Sequence, residues 1–118
     1  DTYGHEIGDD VLVEIAAILT KNTRNSETLG RYGGDEFIMF LPGKNKEDAL
    51  IVAERIRNEI MLHSMIVENK KIQCSISIGI ANTREKELHT IDDIIRRADN
   101  RLYLATKRGR NNVVIDDN

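Results

Sequence analysis

Two adjacent acids, Asp35 and Glu36, follow directly on two glycines in the stretch Arg31-Tyr32-Gly33-Gly34-Asp35-Glu36-Phe37. Carboxylates on a fixed backbone suit a hard cation such as Mg²⁺, held jointly with substrate phosphates. Consecutive strand residues point to opposite faces, so two neighbouring acids can serve two different groups. A hairpin tip with solvated acids is the plainer alternative, because surface Asp and Glu are common. Pattern alone leaves both readings open.

The glycines lie between two runs that can extend, Thr28 to Tyr32 and Asp35 to Leu41. Gly-Gly between such runs predicts a hairpin with a type I′ turn, since glycine takes positive φ at both central positions. The outgoing run Phe37-Ile38-Met39-Phe40-Leu41 is apolar on both faces, so it is expected to be covered on both sides. Asp9 is expected to cap a helix from Asp10 to Thr20, with Val11, Leu12, Ile15, Ala16 and Leu19 as its stripe. Pro42-Gly43 signals a turn. A second helix is expected over Lys46 to His63, burying Ala49, Leu50, Ala53, Ile56 and Ile60, with Glu54 and Arg57 facing water. Met65 to Glu68 reads as a short strand, with Asn69-Lys70 as the turn. Ile72 to Ile80 alternates and reads as one strand with a buried even face. Thr90 with Asp93 predicts a capping box for a last helix, whose stripe is Ile91, Ile94, Ile95, Ala98, Leu102 and Ala105. Gly109 stands where a C′ residue would. Val113-Val114-Ile115 reads as a final strand. Helices alternating with strands around a central hairpin argue an α/β (α+β) layer structure.

The chain has 118 residues, 40% hydrophobic and 31% charged, which suits one globular domain. A net charge of −3 argues against a nucleic acid polymer as partner. The single cysteine, Cys74, cannot form an internal disulfide and reads as a small core residue.

Gly33 to Phe37 resembles the signature of the GGDEF family, the diguanylate cyclases. Gly4-His5 with Gly8-Asp9 is similar to the family's Gly-His-x-x-Gly-Asp segment. Ser77-Ile78-Gly79-Ile80 resembles the strand before its last helix. Ala98-Asp99, Leu102-Tyr103, Ala105 and Gly109-Arg110-Asn111 resemble its closing helix and turn. Spaced matches in the right order are more specific than one pentapeptide.

The resemblance implies a mainly antiparallel sheet flanked by helices, like the palm of polymerases and nucleotide cyclases. It also implies a reaction. Two GTP molecules, one per copy of the domain, condense across an antiparallel homodimer to cyclic di-GMP and two pyrophosphates. In this scheme Asp35 holds Mg²⁺ (or Mn²⁺). Glu36 lies near the attacking 3′-hydroxyl, as a second metal ligand or a base. Gly33 and Gly34 let backbone approach the nucleotide, Asp9 accepts from the guanine edge, and Arg110 meets the phosphates. A helix cap is the other reading of Asp9, and a solvated charge that of Arg110. Arg24-Asn25-Ser26-Glu27 stands where family members carry an Arg-x-x-Asp product-inhibition site, with Arg55 as a supporting arginine; a charged loop is the alternative.

The sequence departs from the family in two respects. The family's preceding strand carries another metal-binding Asp, then an Asn that reads guanine, and residues 1–118 begin just after that Asn. The expectation is therefore a domain lacking its first strand, with open sheet edges. Thr106 stands where the family often has a phosphate-binding Lys, with Lys107 and Arg108 as neighbours. The expected location is the cytoplasm, with a sensor domain upstream in a parent protein that is soluble or membrane-anchored. Two rivals to the cyclase remain. One is a catalytically impaired module that binds GTP or cyclic di-GMP for regulation, and the other a purely structural dimerisation domain.

Overall fold

The computed structural model describes residues 5–25, 27–33 and 36–117. In chain order these form α1 (His5–Lys21), β1 (Thr28–Arg31), β2 (Phe37–Phe40), α2 (Lys46–Leu62), β3 (Met65–Val67), β4 (Lys70–Ile72), β5 (Ile78–Gly79), α3 (Ile91–Lys107) and β6 (Val113–Val114). The strands pair two by two: β1–β2 and β3–β4 antiparallel, β5–β6 parallel. The chain divides into two units. One comprises residues 1–43 and 62–74, the other residues 44–61 and 75–118.

In the first unit α1 packs on β3. Ile15, Ile18 and Leu19 of the helix are buried, as are Met65, Val67 and Ile72. The helix starts at His5, five residues before the predicted start, so Asp9 lies inside it and is not its N-cap. The reason is in the spacing: Ile7 stands four residues before Val11, so the apolar period runs further back. Gly8 within the helix is tolerated at a cost of about 1 kcal/mol against Ala. At the other end, side chains satisfy the last carbonyls. Thr20 Oγ1 donates to Ala16 O (2.8 Å), Asn22 Nδ2 to Ile18 O (2.8 Å) and Thr23 Oγ1 to Leu19 O (2.7 Å).

The β1–β2 register runs from Thr28↔Phe40 to Arg31↔Phe37. Phe37, Ile38 and Met39 are only half-buried and Phe40 is exposed, so β2 is not covered on both sides as expected. Among the described residues it has one strand neighbour, β1, and apolar side chains on a two-stranded ribbon keep a wet face. In the β3–β4 hairpin the register Val67↔Lys70 leaves a two-residue loop, Glu68-Asn69, one position before the predicted turn. Both residues take positive φ, 52° and 66°, as a type I′ turn demands.

The predicted strand Ile72 to Ile80 is divided. Pairing stops after Ile72 and resumes at Ile78–Gly79 with a different partner. Ile72 is buried, Cys74 and Ile76 half-buried, and Gln73 and Ser75 exposed, so alternation persists where the ladder does not. Alternation reports which face a side chain takes, not which strand it pairs with.

In the second unit α3 packs on β5 and β6. A side chain at Gly79 would run into the α3 backbone at Ala98 O and Leu102 N, so strand and helix touch main chain to main chain. Ala53, Ile56, Ile60, Ala105 and Val114 are buried. Ile91, placed on the α3 stripe by its spacing, is 64% exposed, as befits the first turn.

The capping box of α3 is complete. Thr90 Oγ1 accepts from Asp93 N (3.1 Å), and Asp93 Oδ2 accepts from Thr90 N (3.1 Å). At the far end Gly109 sits at φ 110°; its N–H donates to Thr106 O and the Arg110 N–H to Ala105 O. These two bonds make a Schellman motif with Gly109 at C′. Arg57, predicted to face water, is turned inward with a side chain only 15% exposed, bonded to Glu54 and to Asn111 O and Oδ1. It stands four residues after Ala53 and three before Ile60, on the buried stripe itself.

Candidate functional site

The hairpin mouth of the first unit is built by backbone. Tyr32 N–H (2.9 Å) and Gly33 N–H (3.4 Å) both donate to Glu36 C=O, and Arg31 Nε donates to Gly33 C=O (3.3 Å). Tyr32 and Glu36 therefore close the loop. Gly33 does not take positive φ, which corrects the turn expected from Gly-Gly. The bond between Tyr32 and Glu36 extends the ladder one step past Arg31↔Phe37 and leaves three residues for the loop. Gly34 and Asp35 lie outside the described residues.

Glu36 is half-buried at the foot of β2. Among the described residues nothing within the chain requires glycine at 33. An added Cβ would meet only Glu36 Cβ at 3.9 Å, an ordinary contact.

Asp9 is exposed on α1. Arg24 and Glu27 are brought together in one turn. Glu27 Oε1 accepts from the Arg24 N–H (2.8 Å), and the Glu27 N–H donates to Arg24 C=O (2.9 Å). The longer arm of Glu thus folds back onto the backbone, while the Arg24 side chain stays exposed.

Arg55 and Arg110 belong to the second unit and are exposed there. Arg110 has φ 63° and Asn111 φ 51°, so the turn after α3 is left-handed at two non-glycine positions. Thr106 Oγ1 donates to Leu102 O (3.1 Å) within its own helix, and the Lys107 ammonium lies 5.4 Å from the Tyr103 ring centroid.

The donor set at the hairpin suits a divalent cation of the phosphate-sharing kind. Among the described residues no three of His, Cys, Asp and Glu converge into an all-protein cage. Glu36, half-buried beside β2, could hold a hard cation whose remaining positions phosphate oxygens supply. Cys74, by contrast, is a half-buried free thiol. Burial pushes its pKa up, and the charge of Glu14 adds to the effect.

An ionic centre in the second unit escaped the sequence reading. Arg101 is 2% exposed. Its Nη1 donates to Glu85 Oε2 (2.8 Å) and Ile80 O (2.7 Å), its Nη2 to Glu85 Oε1 (2.5 Å) and its Nε to Asp117 Oδ1 (3.0 Å). The Arg101 guanidinium holds the Glu85 carboxyl down at about 2. The signal was spacing: Arg101 follows Ala98 by three and precedes Ala105 by four, a charge on an apolar stripe.

The family model "Diguanylate cyclase, GGDEF domain" matches residues 1–112, across both units. Diguanylate cyclase A of Treponema denticola is 43% identical over 118 residues, which are 100% of this chain and 32% of that protein. The chain thus spans about a third of that relative's length. Two crystal structures are similar. The diguanylate cyclase SiaD of Pseudomonas aeruginosa, in complex with its activator SiaC, has a TM-score of 0.89 and 34% identity over 98% of this chain and 44% of that one. The GGDEF domain of DgcB from Caulobacter crescentus, in complex with c-di-GMP, has a TM-score of 0.87 and 27% identity over 100% of this chain and 68% of that one. With fold, hairpin signature and closing helix in agreement, the chain belongs to the GGDEF domain family of diguanylate cyclases.

Proposed function

We propose that this chain is a diguanylate cyclase domain. Two GTP molecules, one on each of two copies, are joined into cyclic di-GMP with release of two pyrophosphates. The observation that carries the reading is the hairpin mouth, where the exposed Gly33, whose added Cβ would meet only Glu36 Cβ among the described residues, stands beside a half-buried, backbone-anchored Glu36. At each of two phosphorus centres a 3′-oxygen forms a bond to the α-phosphate. The bond from that phosphorus to the bridging oxygen of pyrophosphate breaks, and the hydroxyl proton leaves.

Glu36 orients the 3′-hydroxyl or takes up its proton. Asp35 and Glu36 would hold the Mg²⁺ (or Mn²⁺), which would neutralise the triphosphate and polarise the α-phosphate. Gly33 and Gly34 admit the nucleotide close to the main chain, Asp9 accepts from guanine, and Arg110 meets phosphate. Arg24, Glu27 and Arg55 bind the product and slow the enzyme. A sensor segment upstream sets the activity, and the cytoplasm supplies the GTP. No helix among the described residues is long and apolar enough to cross a membrane.

Thr106 favours a second reading. Its hydroxyl is spent on its own helix, so the position offers no cation for phosphate, as an impaired GTP- or cyclic di-GMP-binding module would allow. The test is to incubate the concentrated protein with GTP and Mg²⁺ and resolve the products by chromatography, with Glu36→Gln as control. Cyclic di-GMP and pyrophosphate that the control fails to make support the cyclase. Nucleotide bound without product supports the regulatory module instead.

A further inference from the structure

The ionic centre of the second unit has two kinds of member. Lys46, Arg97 and Arg101 converge on Glu85, with contacts of 4.0, 3.5 and 2.5 Å. These four side chains are fixed and sheltered: Lys46 and Arg97 are 24% exposed, Arg101 3% and Glu85 13%. Three cations against one carboxylate leave a net charge of +2. Asp116 and Asp117, on the segment after β6, cancel it. Asp116 pairs with Lys46 (3.2 Å), and Asp117 with Arg101 (3.0 Å) and Arg97 (3.9 Å). Yet these two carboxylates are 63% and 58% exposed, on a segment outside any strand or helix.

The asymmetry separates a preorganised site from the groups that fill it. Gathering three cations away from water is costly without matching anions. Here the anions come from the group that can leave most easily. Around them lies an open cleft of about 540 Å³, also lined by Arg84, Lys86 and Glu87.

We propose that this cleft is a latent binding site for a dianionic phosphate group, closed in this structure by Asp116 and Asp117 acting as an internal substitute for the ligand. Arg97 offers a forked guanidinium matched to phosphate oxygens, Arg101 the Nε–H that Asp117 releases, and Lys46 a point charge. A phosphate that enters displaces both carboxylates and frees residues 116–117. Arg101 keeps Glu85 and Ile80 O as partners throughout, so the floor of the site does not collapse.

The test is calorimetric titration with inorganic phosphate, at ionic strength held constant with chloride. The substitute competes with the ligand, and the apparent affinity is reduced by the fraction of molecules that are open. Asp116→Asn/Asp117→Asn is expected to bind phosphate roughly tenfold more tightly than the unaltered protein, because closure no longer competes. Adding Lys46→Met is expected to remove the gain. Asp116→Asn alone, which leaves Arg101 fully paired, guards against misfolding of the double variant and is expected to show a smaller gain in the same direction. Equal affinities in all these proteins, or a gain that survives Lys46→Met, would overturn the proposal.

Discussion

Arg101 and Glu85 form a bidentate pair, two parallel contacts of 2.8 and 2.5 Å, with the arginine all but sealed from water. The pair ties the loop before α3 to the middle of that helix, and the Ile80 carbonyl joins it. A buried pair of this kind need not out-stabilise an apolar substitute, but breaking one half is severe because the other charge is left without a partner.

Acid should therefore act on Glu85 late. Its folded value is depressed to about 2 from 4.5, so its contribution is fully present above pH 4.5 and is lost as pH falls through about 2. The shift corresponds to on the order of 3 kcal/mol. Chemical denaturation repeated from pH 6 to pH 2 should show this loss in the unaltered protein. In Glu85→Gln the loss in this range should be smaller. Arg101→Met alone should cost about 3–5 kcal/mol, and the Glu85→Gln/Arg101→Met double variant much less than the sum. Strict additivity would show that the two residues do not act as a unit.

Gly79→Ala should be poorly tolerated although it adds one methyl group. The new Cβ has backbone, not a flexible side chain, in its way at Ala98 and Leu102. A loss of about 3 kcal/mol or more is expected, at the upper end of overpacking costs. A melting curve matching the unaltered protein would show that β5 and α3 can separate freely.

Glu68 sits at φ 52° in a two-residue hairpin loop, a conformation that Asn and Gly tolerate better. Glu68→Asn should raise stability by about 1 kcal/mol. Equilibrium denaturation reads this directly, and an unchanged midpoint would mean the turn carries no strain.

Product inhibition should depend on the Arg24 side chain but not on the turn beneath it. Glu27 holds the Arg24 N–H, a bond that Arg24→Ala keeps. Progress curves that bend as cyclic di-GMP accumulates should become straight in Arg24→Ala, with the initial rate unchanged. Curvature that persists would remove Arg24 from the inhibitory site.

Much of this was legible in the residues. The capping box at Thr90 and Asp93 and the glycine stop at 109 are local, so their chemistry is written in adjacent positions. The 3.6 period located the inward faces of α2 and α3, although only Ala53, Ile56, Ile60 and Ala105 of the expected stripes are fully buried and Ile91 is exposed. What failed had a non-local cause. The stretch from Ile72 to Ile80 alternates throughout, but a ladder needs a partner strand, and alternation says nothing about where that partner lies. Arg57 and Arg101 were hidden by their charge. A guanidinium goes inward only when carboxylates or carbonyls meet it; Arg57 has Glu54 three residues away, but Asn111, Glu85 and Asp117 are distant in sequence. At the candidate site the motif named Asp35 and Glu36, but only the structure revealed that Tyr32 and Gly33 both bond to the Glu36 carbonyl.

The ends of α3 are pinned by sequence-local devices, a capping box at one and a left-handed glycine at the other, with Arg110 immediately beyond. The helix therefore works as a ruler with fixed marks. A residue inserted between Thr90 and Gly109 cannot be absorbed by sliding either end. It would turn the far end by about 100° and carry Arg110 around the axis with it. Substitutions along the exposed face leave the ruler's length unchanged, whereas a single insertion or deletion re-aims the arginine. The length of α3, more than its composition, sets the direction in which that guanidinium can reach.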